Sequence, residues 1–124
     1  MPYVTISATE GLSDDQKRQL LERASDAVVQ SIGAPQASVR VMLHELADGH
    51  YLNAGKFNTP CLMFVVELIE GRSEEQKAAL IFALHRAGAE TTGVAESEVR
   101  VRVIDFPKSD MGVAGGATAK AMGR

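Results

Sequence analysis

An internal repeat limits what this sequence can fold into. Residues 10–17 read EGLSDDQK and residues 70–77 read EGRSEEQK, a shift of 60 residues. At the same shift Gly33 meets Gly93, and the Val-Arg-Val triplet at 39–41 meets the triplet at 99–101. A fixed offset held over this much sequence indicates two copies of one structural unit. We therefore predict a single domain over residues 1–124, made of a first unit (2–58), a second unit (61–116) and a C-terminal tail (117–124).

Each unit has the pattern of a strand, a helix and a second strand. In the first unit, apolar and polar residues alternate from Tyr3 to Ala8 and again from Val39 to His44. Between these stretches, Ser13 followed by Gln16 predicts a capped helix start, and Gly33 predicts the helix end. The second unit repeats the pattern, with a strand over 62–68, a helix from 73 to about 92 and a strand over 99–105.

Two such units predict an α/β (α+β) fold. The two strands of a strand–helix–strand unit are expected to pair in parallel, with a right-handed crossover. We expect a pseudo-twofold, four-stranded mixed sheet with both helices on one face. The other face would carry the apolar side chains of Met42, Met63, Val65 and Ile104. Because a large apolar patch is rarely left in water, we predict that the chain oligomerises through this face.

Composition excludes several classes of protein. There are 13 Lys and Arg against 16 Asp and Glu, so the basic excess typical of a nucleic-acid-binding protein is absent. Without an apolar run long enough for a membrane span, or a secretory signal, the sequence predicts a soluble cytoplasmic protein. Cys61 is the only cysteine and is expected to be buried. The three histidines lack the spacing of metal ligands, so no metal is expected.

Two residues stand out as chemistry-bearing. Removal of Met1 would free the secondary amine of Pro2, and burial beside cations would lower its pKa until it could act as a base. Arg72 lies at the expected start of the second helix, where backbone N–H groups also favour anions. In the alternative interpretation, Pro2 simply follows Met1 and Arg72 is an ordinary exposed arginine.

Three further arginines, Arg40, Arg100 and Arg102, are predicted on the open face of the sheet. A charge at such a position needs water, a carboxylate or a ligand. Ligand binding is one interpretation. The other is structural ion pairing with Glu45, Glu67 or Asp105.

Taken together, these motifs resemble the 4-oxalocrotonate tautomerase family. The resemblance is carried by the proline after Met1, by EGL or EGR before the helix start, by SVRV at 38–41 after Ala34-Pro35, and by GHY at 49–51. Each half follows the short enzyme of that family. The whole chain therefore resembles a fused 4-oxalocrotonate tautomerase of the tautomerase superfamily.

The resemblance implies an isomerase that uses no metal or organic cofactor. Pro2 would be the general acid/base, and arginines would bind the carboxylates of an enolised 2-oxo dicarboxylate such as 2-hydroxymuconate. The residues that match the family's binding positions are Arg72, Arg100, Arg40 and Tyr51, and Arg102 lies two residues after Arg100 on the same face. By analogy Arg100 would come from a neighbouring chain, Arg102 could line the same pocket, and Arg40 ranks lower.

The differences between the halves indicate where such a site would lie. Only the first half has the proline amine, because Leu62 stands at the equivalent internal position. Only the second half has the helix-start arginine, because the first half has Leu12 there. A working site therefore needs both halves. Since the short enzyme forms a hexamer, the fused chain is expected to form a homotrimer with three sites, symmetric or asymmetric.

Other functions stay open at this point. Dehalogenase relatives use a late carboxylate and decarboxylase relatives an aspartate before the second strand. This chain has Asn53 and Val113 at the first position and Ala37 and Ser38 at the second. A ligand-binding trimer without turnover is a third possibility. A ferredoxin-like regulatory domain would have an antiparallel sheet, so strand direction distinguishes it.

Overall fold

Two long helices and four long strands follow one another in the order that the repeat predicts. The computed structural model describes residues 1–124. The first unit contains β1 (Tyr3–Thr9), α1 (Asp14–Ile32) and β2 (Arg40–Leu46), and the second contains β5 (Leu62–Ile69), α2 (Glu74–Thr92) and β6 (Val99–Phe106). Between the units lies a short hairpin that the sequence did not predict, made of β3 (Leu52–Asn53) and β4 (Lys56–Phe57).

The helices begin and end at the predicted residues. Ser13 accepts a hydrogen bond from the Gln16 backbone N–H, and the Gln16 side chain accepts one in return from the Ser13 N–H. Ser73 and Gln76 form the same capping box on α2. Both helices end at a glycine in the left-handed region, a conformation that favours glycine at this position. The equivalent capping in both halves confirms the repeat at atomic detail.

The four long strands form one mixed sheet in the order β2-β1-β5-β6. β1 pairs in parallel with β2, and β5 pairs in parallel with β6, so each unit is a parallel strand–helix–strand unit. The two units meet through antiparallel pairing of β1 with β5. The predicted fold class is confirmed, and the parallel pairing within each half excludes the ferredoxin-like alternative.

The core lies between the sheet and the two helices, which also pack on each other. One face of each central strand is fully buried there, at Val4 and Ile6 of β1 and at Phe64 and Val66 of β5. The helices contribute the buried residues Leu20, Ala24, Val28, Leu80 and Leu84. Helix α2 approaches the sheet closely at Gly88, where an added Cβ would lie 3.0 Å from atoms of Leu62 and Phe64.

The opposite sheet face has no covering layer within one chain. Met42 and Ile104 are 43% and 40% exposed, and Met63 and Val65 are partly exposed, as predicted. Polar side chains alternate with them on the same face, including Ser7 and Arg102. Neither helix has the length and apolar character needed to cross a membrane.

Candidate active site

Pro2 is held in the seam between the two halves of the chain. The Pro2 carbonyl accepts a hydrogen bond of 3.1 Å from the backbone N–H of Arg40, the first residue of β2. The Pro2 side chain is buried. Its preceding residue, Met1, donates from its amine to the Ser38 carbonyl at 2.8 Å. The start of the chain is therefore tied to β2 and to the turn before it.

A cleft of about 510 Å³ opens beside Pro2, and we call it the amine cleft. Residues 68–72 of the second half also line it, and they form the end of β5 and the turn that leads to α2. The structure thus brings Pro2 of the first unit and Arg72 of the second unit to one cleft within a single chain. Lys108 and Arg124 also line it, and Glu70 is its one acidic lining residue.

Arg72 is positioned by the turn before the α2 cap. It directly precedes the N-cap residue Ser73, and its side chain is partly buried. Its Nε atom is buried without a hydrogen-bond partner. A buried polar group of this kind costs free energy, and a ligand oxygen in the cleft could satisfy it. Arg72 is therefore not the ordinary exposed arginine of the alternative interpretation.

Met1 also lines a second cavity of about 230 Å³, which we call the side cavity. Arg40, Tyr3 and Met111 line it. The residues common to both cavities are Met1, Ser38 and Arg124. Met1 thus lines both the cavity that contains Arg72 and the cavity that contains Arg40.

The surroundings of the N-terminal amine disfavour its charged form. Partial burial, followed by the guanidinium groups of Arg40 and Arg124, lowers the pKa of the Met1 amine below its ordinary value. Burial and positive neighbours both penalise a protonated amine, so a nitrogen at this place is more readily neutral than one in water.

Arg40, Arg100 and Arg102 all lie on the open face of the sheet, as predicted. None of them forms an ion pair within the chain: Glu45 pairs with Lys17, Asp105 pairs with Lys77, and Glu67 is in no ion pair. The structural alternative for these arginines is therefore wrong within one chain. Arg40 instead donates to the carbonyls of Ala37 and Val39, at 2.7 and 3.3 Å.

The structure brings Arg40, rather than Arg100, beside Pro2 in the same chain. Arg100 and Arg102 line a separate cavity of about 360 Å³ on the sheet face, with Ser7, Met63 and Val65. Tyr51 lies near Cys61, where burial raises the pKa of both the tyrosine hydroxyl and the thiol. Neither Arg100, Arg102 nor Tyr51 lines the amine cleft of its own chain. Cys61 is buried, as predicted.

A pseudo-equivalent cleft of about 320 Å³, the second cleft, lies at the other end of the seam. There Leu62 stands in place of Pro2, Leu12 in place of Arg72, and Asp48 in place of Lys108. Glu10 also lines it, so the second cleft has acidic lining residues and no cationic ones. The repeat therefore has a cleft at both ends, while only the amine cleft has more cationic than acidic side chains.

Sequence reasoning missed two cations of the amine cleft, Lys108 and Arg124. Lys108 begins a short 3₁₀ turn after β6, and its position in the repeat corresponds to Asp48. That charge reversal between the halves could have identified Lys108 as a candidate site residue from the sequence. Arg124 has no repeat counterpart, so the sequence held no signal for it. No cluster of three or more His, Cys, Asp or Glu side chains is arranged to bind a metal ion.

Comparison with known proteins gives the family. The family model described as tautomerase enzyme matches residues 2–59 and again residues 65–121. The 2-hydroxymuconate tautomerase of Bacillus subtilis (strain 168) is 43% identical over 56 residues, which cover 45% of this chain and 90% of that protein. The chain therefore belongs to the tautomerase family.

Solved structures match the whole chain rather than one half. Pt0534 inactivated by 2-oxo-3-pentynoate is 76% identical with a TM-score of 0.97, covering 98% of this chain and 99% of that one. The Q0 fused 4-OT, a symmetric trimer, is 45% identical with a TM-score of 0.95 over the same shares of both chains. The predicted resemblance to fused 4-oxalocrotonate tautomerases is confirmed.

Proposed function

We propose that this chain is a cofactor-independent tautomerase that ketonises an enolised 2-oxo dicarboxylate such as 2-hydroxymuconate. The observation that carries the proposal is the amine cleft, which Pro2 of one unit and Arg72 of the other line together. The likeness to the 2-hydroxymuconate tautomerase of Bacillus subtilis supports the choice of substrate.

The proposed base is the Pro2 nitrogen after removal of Met1. While Met1 is present, the Pro2 nitrogen is part of an amide and cannot accept a proton. Once free, it would share the burial and the Arg40 and Arg124 charges that lower the pKa of the present amine. Removal would also join the amine cleft to the side cavity, since Met1 lines both. The nitrogen would then stand between Arg72 and Arg40.

In the proposed reaction, neutral Pro2 takes the 2-hydroxyl proton of the dienol. The O–H electron pair becomes the C2 carbonyl, the double bonds shift along the chain, and the distal carbon takes a proton from protonated Pro2. The proline ends neutral, so protons and electrons balance without a co-reactant. Arg72 or Arg40 would hold one carboxylate, and both would stabilise the charge that develops during the transfer.

Charge supports an anionic substrate at this end of the seam only. Three cationic side chains and one carboxylate line the amine cleft, whereas the second cleft has only acidic ones. We therefore propose one active site per chain. Arg100, Arg102 and Tyr51 keep a proposed role only through assembly, because they do not line their own chain's amine cleft.

The proposed assembly is a homotrimer. The uncovered sheet face, with Met42 and Ile104 exposed, supports association through the sheet. The trimer of the Q0 fused 4-OT supports the number of chains. In such an assembly Arg100 of one chain could approach a neighbouring chain's site.

Ketonisation of 2-hydroxymuconate, followed by ultraviolet absorbance, tests the function. The parent protein, with Met1 removal verified by intact mass, is expected to turn the substrate over. Pro2→Ala should lower kcat, by about 100-fold if acid/base catalysis has its usual size. Leu12→Ala is the matched control for Arg72→Ala, because it truncates the same repeat position in the second cleft.

Two outcomes would overturn the proposal. One is a processed parent protein without measurable ketonisation. The other is a Pro2→Ala variant as active as the parent. Turnover of 3-haloacrylates or malonate semialdehyde, with none of 2-hydroxymuconate, would instead favour a dehalogenase or decarboxylase.

A further inference from the structure

The C-terminal tail, residues 117–124, is fastened to the loop that follows β6. The Ala119 backbone N–H donates to the Met111 carbonyl at 2.8 Å, and the Ala119 side chain is fully buried. The Lys120 N–H donates to the Lys108 carbonyl at 3.2 Å. These bonds fix the path of the tail beside a residue that already lines the amine cleft.

The last turn of the tail directs Arg124 to the cleft mouth. The Met122 N–H donates to the Thr118 carbonyl at 3.1 Å, and the Arg124 N–H donates to the Ala119 carbonyl at 3.0 Å. The chain thereby folds back on itself. Arg124 as a result lines both the amine cleft and the side cavity, as Met1 does.

Arg124 has no carboxylate partner in this fold. It is absent from all six ion pairs of the chain, so its charge is available to an anion from solvent. Its influence on the pKa of the Met1 amine supports its closeness to the proposed reaction centre. In the first half, the residues that follow the hairpin enter β5 instead, so the second cleft has no equivalent of this arginine.

We propose that Arg124 binds the second carboxylate of a dicarboxylate substrate and so makes the site selective for dicarboxylates over monocarboxylates. The proposal rests on the tautomerase function proposed above. Arg72 and Arg40 lie in different cavities, and Arg124 is the cation common to both. A dianion spanning the joined cavity would meet Arg124 whichever of the other two held its first carboxylate.

The test compares Arg124→Ala with the parent on two dienols that differ by one carboxylate, 2-hydroxymuconate and 2-hydroxy-2,4-pentadienoate. For the dicarboxylate, kcat/KM should fall about tenfold, mainly through KM, as expected from the loss of one solvent-accessible, charge-assisted hydrogen bond. For the monocarboxylate it should change less than about twofold. Arg124→Lys should recover part of the loss, because it restores the charge without the planar fork.

Lys120→Ala is the matched control, since it removes an exposed cation from the same tail outside both cavities. Equal losses on both dienols would overturn the proposal, because they would indicate a general effect on the fold or the amine. An unchanged kcat/KM for the dicarboxylate would overturn it as well.

A binding measurement separates this proposal from the tautomerase function. If the parent protein turned over neither dienol, the proposed function would fail, and calorimetric titration with adipate and hexanoate would still test Arg124. Weaker adipate binding by Arg124→Ala, with hexanoate binding unchanged, would support the proposal. Equal adipate affinity of the parent and Arg124→Ala would overturn it.

Discussion

Replacing Arg72 by leucine gives the amine cleft the residue that the second cleft already has at this position. The change removes a cation whose Nε is buried without a partner. A hydrogen bond from a charged donor contributes about 1.5–3 kcal/mol, which is about a 10- to 150-fold effect on kcat/KM. This loss of free energy applies to the complex with substrate, because the Arg72 Nε atom has no hydrogen-bond partner in the free protein.

Stability should move in the opposite direction from activity. An unsatisfied buried polar group costs about 1–3 kcal/mol, and a cation near a helix N-terminus is unfavourable by several tenths of a kcal/mol. Arg72→Leu removes both costs, discounted because Arg72 is only partly buried. We expect the free energy of unfolding in urea to stay equal or to rise by about 1 kcal/mol.

The assay is the initial rate of 2-hydroxymuconate ketonisation beside a urea unfolding curve on the same preparations. Leu12→Arg is the reciprocal control, and it should leave kcat/KM unchanged because no amine lies in the second cleft. A fully active Arg72→Leu protein would refute the reasoning. So would a strongly destabilised one, since the loss of activity would then report on folding.

Three further predictions concern the amine, the core and the open face. Because burial and cations lower the pKa of the Met1 amine, the freed Pro2 amine should respond in the same way, and kcat/KM should rise with pH through an inflection below that of an exposed N-terminal proline. Arg40→Ala should move that inflection upward, and an unmoved pH profile would contradict the assigned cause. Gly88→Ala should lower the free energy of unfolding in urea by about 1–3 kcal/mol, because the added Cβ would lie 3.0 Å from side-chain atoms of Leu62 and Phe64. A stabilised variant would argue against that close approach. Val65→Lys should lower the oligomer mass measured by light scattering, whereas Phe82→Lys, at an exposed site on α2, should not. An unchanged oligomer mass for Val65→Lys would rule out the sheet face as the interface.

The sequence predicted the fold well because its strongest signals are local. The capping boxes at Ser13 and Ser73 and the strand alternation depend on neighbours a few residues away, and the repeat supplied each signal twice. The hairpin between the units was missed. Its turn contains Ala54 with a positive φ of 50°. Alanine rarely adopts this conformation, so its presence in the sequence gives no signal of such a turn.

The candidate site was predicted only where the two halves differ inside the repeat. Pro2 and Arg72 are visible as such differences, and the structure brings them to one cleft. Arg40 was ranked below Arg100, although parallel pairing of Tyr3 with Arg40 places it next to the chain start. Arg124 reaches the cleft through hydrogen bonds between distant backbone groups, which local sequence patterns do not encode.

In the proposed site, the amine and the helix-start arginine come from the two halves of the same chain. Co-expression of Pro2→Ala chains with Arg72→Ala chains tests it most directly, with mixed oligomers verified by mass. If both residues belong to one chain's site, every site in a mixed oligomer lacks one of them, and kcat/KM should stay at the level of the single variants. Recovery of activity toward the parent value in mixed oligomers would contradict the account, because it would require Pro2 and Arg72 to meet across different chains.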